Sequence, residues 1–233
     1  MKLKRFLIVV LVIIAAFVVY VWPHSFTWRQ KMTVFVETPA GEVSGSSVTE
    51  VSWDEHLIYS VGLNWRFKLR GEAVVVEVAP GKYLFALMKG GVNDEYMGTL
   101  ATSIIYEEKH GYAYDFKVVG NDVFREVEDR IGLAAGVMEV PVREYPILIS
   151  FDDLNNPKSV RNPAPDALAE VFGPGVSLKR ITLEITDEPV TTGRVAQLLP
   201  CLTRNEQCIP KDNSRVYADP LRFTDNNFFV RGN

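Results

Sequence analysis

Polar and apolar positions alternate along the first part of the chain that carries mixed chemistry. Met32, Val34 and Val36 take one parity, while Lys31, Thr33, Phe35 and Glu37 take the other, which is the two-residue period of a strand. Thr38-Pro39-Ala40-Gly41 has turn chemistry, and residues 42–53 (EVSGSSVTEVSW) resume a β-rich pattern, so a hairpin over about 29–53 is predicted. A second hairpin is predicted from residues 72–78 (EAVVVEV), the turn Ala79-Pro80-Gly81 and residues 82–88 (KYLFALM). Its apolar residues fall on both parities, the pattern of strands in the middle of a sheet. Residues 147–151 (ILISF) form a short apolar strand, and 177–186 (SLKRITLEIT) a longer one with Leu178, Ile181, Leu183 and Ile185 inward.

Three segments change to helical spacing. Tyr96, Leu100 and Ile104 recur every four residues within 95–108, with Gly98 as the weak point. Val123, Phe124, Val127 and Ile131 make an apolar stripe within 122–131, with Asn121 as N-cap and Gly132 as stop. Residues 165–172 (PDALAEVF) begin on Pro165 and are followed by Gly173, the N-terminal proline and C-terminal glycine of a short helix. Strand runs with helices inserted, and no regular βαβ alternation, predict a β-dominated α+β fold of antiparallel hairpins with two or three helices.

One segment before all this has no polar parity. Residues 6–22 (FLIVVLVIIAAFVVYVW) are seventeen residues without a charge, about 25 Å of helix, the short end of a bilayer span. Lys2, Lys4 and Arg5 precede it, no acidic residue occurs in the first 25, and Tyr20, Trp22, Phe26 and Trp28 cluster at its far boundary. Basic residues on the N-terminal side alone place that side in the cytoplasm, and aromatic rings favour the headgroup level. The predicted organisation is a cytoplasmic basic stub (1–5), a transmembrane helix (6–22) with the lipid bilayer as partner, and an extracytoplasmic α+β domain (24–233). The last thirty residues, 204–233, are poor in aliphatics and read as an irregular C-terminal extension. A cleaved signal peptide is the competing reading. The apolar run is longer than a usual signal core, and only Ala15-Ala16 offers small residues for cleavage.

Charge and cysteines narrow the picture further. Setting aside the three basic residues of the first 25 leaves 22 Lys and Arg against 29 Asp and Glu, a formal charge of −7. A domain this acidic lacks the basic face that nucleic acid requires. Cys201 and Cys208 are the only two cysteines, and outside the cytoplasm such a short-spaced pair reads as a disulfide. Two free thiols are the alternative. A zinc site would need two more ligands, and no His follows His110.

Candidate chemistry is sparse. His24 lies at the membrane boundary, and His56 follows Trp53-Asp54-Glu55 in an acidic turn. Glu107 and His110 have the i, i+3 spacing of di-iron carboxylate helices, but the second Glu-x-x-His that such a site needs is missing from the sequence. Gly45-Ser46-Ser47 is not a G-x-S-x-G elbow. The oxygen-rich run Asp152-Asp153-Leu154-Asn155-Asn156 offers Asp152, Asp153 and Asn155 as a candidate calcium set, without the Gly and trailing Glu of an EF-hand. Asx-turn and capping roles compete with it. No cofactor is implied by any motif.

Residues 151–160 (FDDLNNPKSV), 172–180 (FGPGVSLKR) and 181–193 (ITLEITDEPVTTG), with 36–51 (VETPAGEVSGSSVTEV), resemble a group of uncharacterised proteobacterial proteins with one N-terminal membrane helix. The resemblance implies a bacterial inner-membrane, single-pass protein with its domain in the periplasm, and it supplies no active residue. The leading expectation is a membrane-anchored periplasmic binding or structural module without catalysis. An envelope hydrolase assembled from His56 or His110 and the Asp152–Asp153 cluster is one alternative. An accessory subunit of a membrane complex, touching a protein partner in the envelope, is another.

Overall fold

The computed structural model describes residues 8, 10–12, 25–55, 65–90, 96–111, 129, 136–156, 159–200 and 229–230. Two antiparallel sheets dominate it. The larger has six strands in the order β10-β3-β2-β1-β9-β6, and the smaller has four in the order β4-β5-β7-β8. Strands β1 (Ser25–Thr38) and β2 (Gly41–Glu55) form the long predicted hairpin, in continuous register from Thr38↔Gly41 to Ser25↔Asp54. Outward of β2 lies β3 (Trp65–Glu72), then β10 (Phe229–Val230) against Gly71 and Glu72; outward of β1 lie β9 (Ser177–Ile185) and β6 (Val137–Glu139). Phe229 and Val230 are the part of 204–233 that is described, and they pair antiparallel with Glu72 and Gly71.

Inward residues of β9 do not follow a simple alternation, and the register explains why. Val36 pairs with Leu178 but Phe35 pairs with Arg180, leaving Lys179 as an extra residue in a β-bulge. The bulge lets Leu178 and Ile181, three apart, both pack on the core.

The smaller sheet comprises β4 (Val74–Ala79), β5 (Lys82–Gly90), β7 (Pro146–Phe151) and β8 (Val160–Arg161). The predicted β4–β5 hairpin is present, but its position differs from the expectation, because β4 is an edge strand. Its apolar residues on both parities come from layering. Val74, Val76, Leu84 and Ala86 face the core under the large sheet, while Val75, Phe85 and Ile149 form a second core with Val195 and Leu199. A strand covered on both faces needs both parities apolar whether it is central or not.

Helix α1 (Tyr96–His110) is buried almost all round through Tyr106. Gly98, a poor helix former, is required there, since a Cβ would lie 2.6 Å from the Phe67 ring. The helix predicted over 165–172 is reduced to one turn, α2 (Ala169–Phe172), with residues 165–166 in a turn. The helix predicted over 122–131 lies outside the described residues except at Asp129. Strand β3 went unpredicted, although Trp65, Phe67 and Leu69 alternating with Arg66, Lys68 and Arg70 signals it clearly.

A buried carboxylate ties the end of β3 to a short helix. Glu72 is 4% exposed and accepts hydrogen bonds from the backbone N–H of Arg194 (3.1 Å) and Val195 (3.3 Å), the first residues of α3 (Arg194–Leu198). Ser47 Oγ donates to the Glu72 carbonyl at 2.6 Å, and Thr191 bonds Val48 through both its N–H and its Oγ1. Beyond Arg70, where β3 diverges at Gly71, Thr191 thus bonds the edge of β2. Replacing Glu72 with Ala strips two N–H groups of their acceptor and is expected to cost about 2–3 kcal/mol. Urea unfolding would measure it, with Glu72→Gln, which keeps one acceptor, falling between.

Candidate functional site

Of the four tryptophans, Trp22, Trp28, Trp53 and Trp65, the last three lie on neighbouring strands of the larger sheet. Trp22 closes the apolar N-terminal run, Trp28 is near the start of β1, Trp53 near the end of β2, and Trp65 begins β3. Register places these strand ends side by side: Ser25↔Asp54, Phe26↔Trp53, Glu55↔Trp65 and Trp53↔Phe67. One end of the six-stranded sheet therefore carries the chain's tryptophan-rich strand termini and is the end that follows the apolar run.

Helix α1 braces this end from inside. Trp53 Nε1 donates to the Gly98 carbonyl (3.1 Å), and Gln30 Nε2 donates to the Met97 carbonyl (2.8 Å). Gln30, fully buried, also accepts from Trp28 Nε1 at 3.1 Å. Its amide is satisfied on both sides, as a buried polar group needs. Phe26 packs on Trp28 with ring centroids 5.0 Å apart, and Trp53 on Phe67 at 5.6 Å. Trp28 and Trp53 are thus core residues, while Phe26 and Phe67 are half-buried at the rim.

The outer face of the sheet is polar and paired. Glu50 joins Arg29 (3.1 Å) and Arg70 (3.6 Å), Lys68 joins Asp54 (2.9 Å), and Lys31 joins Glu188 (2.7 Å). Near the β1–β2 turn Lys179 bridges Glu37 and Glu42, and Arg180 lies 3.9 Å over the Phe35 ring. The hydrogen bond from Lys179, helped by the charges of Lys179 and Arg180, lowers the Glu42 carboxyl from its ordinary value. Such exposed pairs set surface character more than stability.

Each residue singled out from sequence has a definite position or lies outside the described residues. Asp153 Oδ1 accepts the Asn155 N–H at 2.9 Å, closing an Asx turn, and Asp152 pairs with Arg161 at 2.9 Å. Ser159 Oγ donates to the Asp153 and Asn156 carbonyls. Asp153 Oδ1 is thus engaged with its own loop's backbone and Asp152 Oδ2 with a guanidinium. No cluster of three or more His, Cys, Asp or Glu suited to a metal occurs among the described residues. His110 is exposed and stacks on Tyr106 at 4.3 Å, and Glu107 pairs with Arg143. Ser47 bonds the Glu72 carbonyl, as above, and Gly45 lies against β4. His24, His56, Cys201 and Cys208 lie outside the described residues. Glu72 and Gln30, the two buried polar residues that hold the architecture, were not predicted from sequence; burial of a polar side chain inside an alternating strand leaves little trace in the pattern.

Tyr96 is also buried, and its hydroxyl has no hydrogen-bond partner among the described residues. Burial first, then the charges of Glu144 and Tyr145, push its phenol well above the usual 10.0.

The N-terminal run is described at Ile8 and at Val10, Leu11 and Val12, all helical. No helix among the described residues is long and apolar enough to cross a membrane; the remainder of 6–22 lies outside them. The large hydrophobic residues left exposed among the described residues are Ile8, Leu11, Val12, Val137 and Val142, so three of the five belong to this run. No family model, curated protein or solved structure matches the chain.

Proposed function

We propose that the chain is a single-pass, membrane-anchored periplasmic module of the bacterial inner membrane that binds an envelope partner or supports the envelope, without catalysis. The observation that carries this reading is the exposure of Ile8, Leu11 and Val12, each at least 60% accessible on a helical segment. Apolar side chains on an uncharged run, off the core, call for a hydrocarbon environment. Lys2, Lys4 and Arg5 on the N-terminal side alone support a cytoplasmic N-terminus. The Asx turn at Asp153 and the Asp152–Arg161 pair favour a structural part for that loop over a catalytic one.

Membrane fractionation tests the reading. The full chain is expected in the alkali-resistant membrane pellet and its domain to be digested by protease added to spheroplasts. A chain lacking residues 1–23 is expected in the soluble fraction. Full chain released by alkali, or protected in intact spheroplasts, would defeat the proposal.

A further inference from the structure

Charges on the outer face of the six-stranded sheet are paired strand to strand, except at its β6 edge. Glu37, Glu42, Glu50 and Asp54 each meet a base carried by another strand. Glu184 on β9 and Glu139 on β6 lie on the same face, since Ile181, Leu183 and Met138 take the inward parity. Neither of these two carboxylates makes an ion pair among the described residues. Lys31 stands opposite Glu184 in the β1–β9 register, but its ammonium goes to Glu188 at 2.7 Å. Beyond β6 no further strand occurs among the described residues to supply a base.

The same edge leaves backbone groups open. Val140 N–H donates to the Ile181 carbonyl at 2.9 Å, and the register continues through Met138↔Leu183 to Val137↔Glu184. An antiparallel ladder alternates between residues bonded to the neighbouring strand and residues whose groups point the other way. Val140 and Met138 are therefore committed to β9, while Val137 and Glu139 direct their N–H and C=O groups outward. Val137 is 65% exposed, and Val142, just past the strand, is 70% exposed. Apart from the N-terminal run, these two are the exposed large hydrophobic residues among the described ones. An edge of this kind is a template for another strand. A second copy of β6 does not suit it, because two copies side by side would gather four unpaired carboxylates on one continuous face, and like charges on neighbouring strands repel.

We propose that β6 takes up a short extended segment of a partner protein as an added strand, with Lys or Arg at every second position. Residues of that segment whose N–H and C=O groups meet those of Val137 and Glu139 stand directly opposite them, so their side chains lie on the outer face. Bases there face Glu139 and come within reach of Glu184, completing the strand-to-strand pairing of the rest of the face. The open backbone groups supply affinity and the two carboxylates supply the choice of sequence. This deepens the partner-binding part of the reading above and rests on it, but it does not depend on the membrane anchor.

The test uses the full chain in dodecylmaltoside micelles and fluorescein-labelled synthetic peptides, read by fluorescence anisotropy. The probe is RVKVRVK. One control, EVEVEVE, reverses its charge; the other is RVKVRVK N-methylated at its Lys and Arg residues, which keeps the charge and removes the strand donors. The expected result is saturable binding of RVKVRVK, weaker by roughly ten-fold or more for the N-methylated peptide, which loses two strand hydrogen bonds. The acidic peptide should not bind. In the chain carrying Glu139→Lys together with Glu184→Lys the preference should reverse towards EVEVEVE. Equal binding of the N-methylated peptide would mean charge attraction alone and overturns the proposal. Undiminished binding of RVKVRVK by the double variant places it elsewhere and does the same. No binding of RVKVRVK also overturns it, while the anchored reading stands or falls separately on membrane fractionation. Circular dichroism and thermal unfolding of the double variant against the parent check that the fold is intact.

Discussion

Replacing Trp53 with Ala is expected to destabilise the domain by about 3–5 kcal/mol, the range for emptying a large aromatic site in a packed core. The residue is 1% exposed, faces Phe26 and Phe67 across both neighbouring strands, and donates its indole N–H to the Gly98 carbonyl at 3.1 Å. Three things go at once: the ring, the aromatic contact with Phe67 at 5.6 Å, and a side-chain hydrogen bond that holds the start of α1. In a domain near 200 residues this is a fall in melting temperature of roughly 10 °C. Trp53→Phe separates the causes. It keeps a six-membered ring in the site and loses the N–H with the remainder of the indole, so its cost should be smaller, about 1–2 kcal/mol. Hydrogen exchange locates the damage: in Trp53→Ala the amides of α1 should lose protection before those of β5 or β7. Equal loss throughout would mean that the helix is not the element Trp53 secures.

Gly45→Val is the second large effect, and it arises from crowding. Gly45 lies on the inward parity of β2, buried, where the backbone of β4 approaches closely. A Cβ there would run into the Val75 carbonyl oxygen, with the carbonyl carbon at 2.8 Å and the Val76 Cα at 3.2 Å. All three obstacles are backbone atoms, so no rotamer change relieves them; β2 and β4 must separate. Overpacking a core typically costs about 1–3 kcal/mol, occasionally more, and a backbone obstacle puts Gly45→Val at the top of that range, with Gly45→Ala close behind. The neighbouring Ser46, on the outward parity and half-exposed, provides the control: Ser46→Ala should stay within about 0.5 kcal/mol. Thermal unfolding of the three variants side by side checks the ordering. Tolerance of Val at position 45 would show that the sheets do not meet there in solution.

These two residues show unequal legibility. Trp53 sits on the inward parity of a strand whose alternation was plain, so its burial followed from period two alone. Gly45 carried no such signal, because its neighbour Val75 is thirty positions away and nothing local announces a carbonyl in its path. Gly98 behaves the same way: as a helix residue it counts against the helix, and only the Phe67 ring from β3 explains its presence. Asp152 gave no sign of its partner in sequence, because Arg161, nine residues on, arrives beside it only when β7 and β8 pair.

Local periodicity by itself determined the β1–β2 hairpin and its inward face, the β4–β5 hairpin, the helix beginning near residue 96, and the uncharged run at 6–22 flanked by bases. Each depends on neighbours within a few positions, where pleat, helical pitch or chain length dictates the outcome. Only the tertiary structure decided that β4 is an edge strand, that Lys179 forms a bulge aligning Leu178 with Ile181, and that Glu72 caps α3. It alone gathered the starts and ends of β1, β2 and β3, with the tryptophans near them, at one end of the sheet. Those outcomes depend on which distant segments share an interface, and a residue's own periodicity carries no information about the partner it will meet.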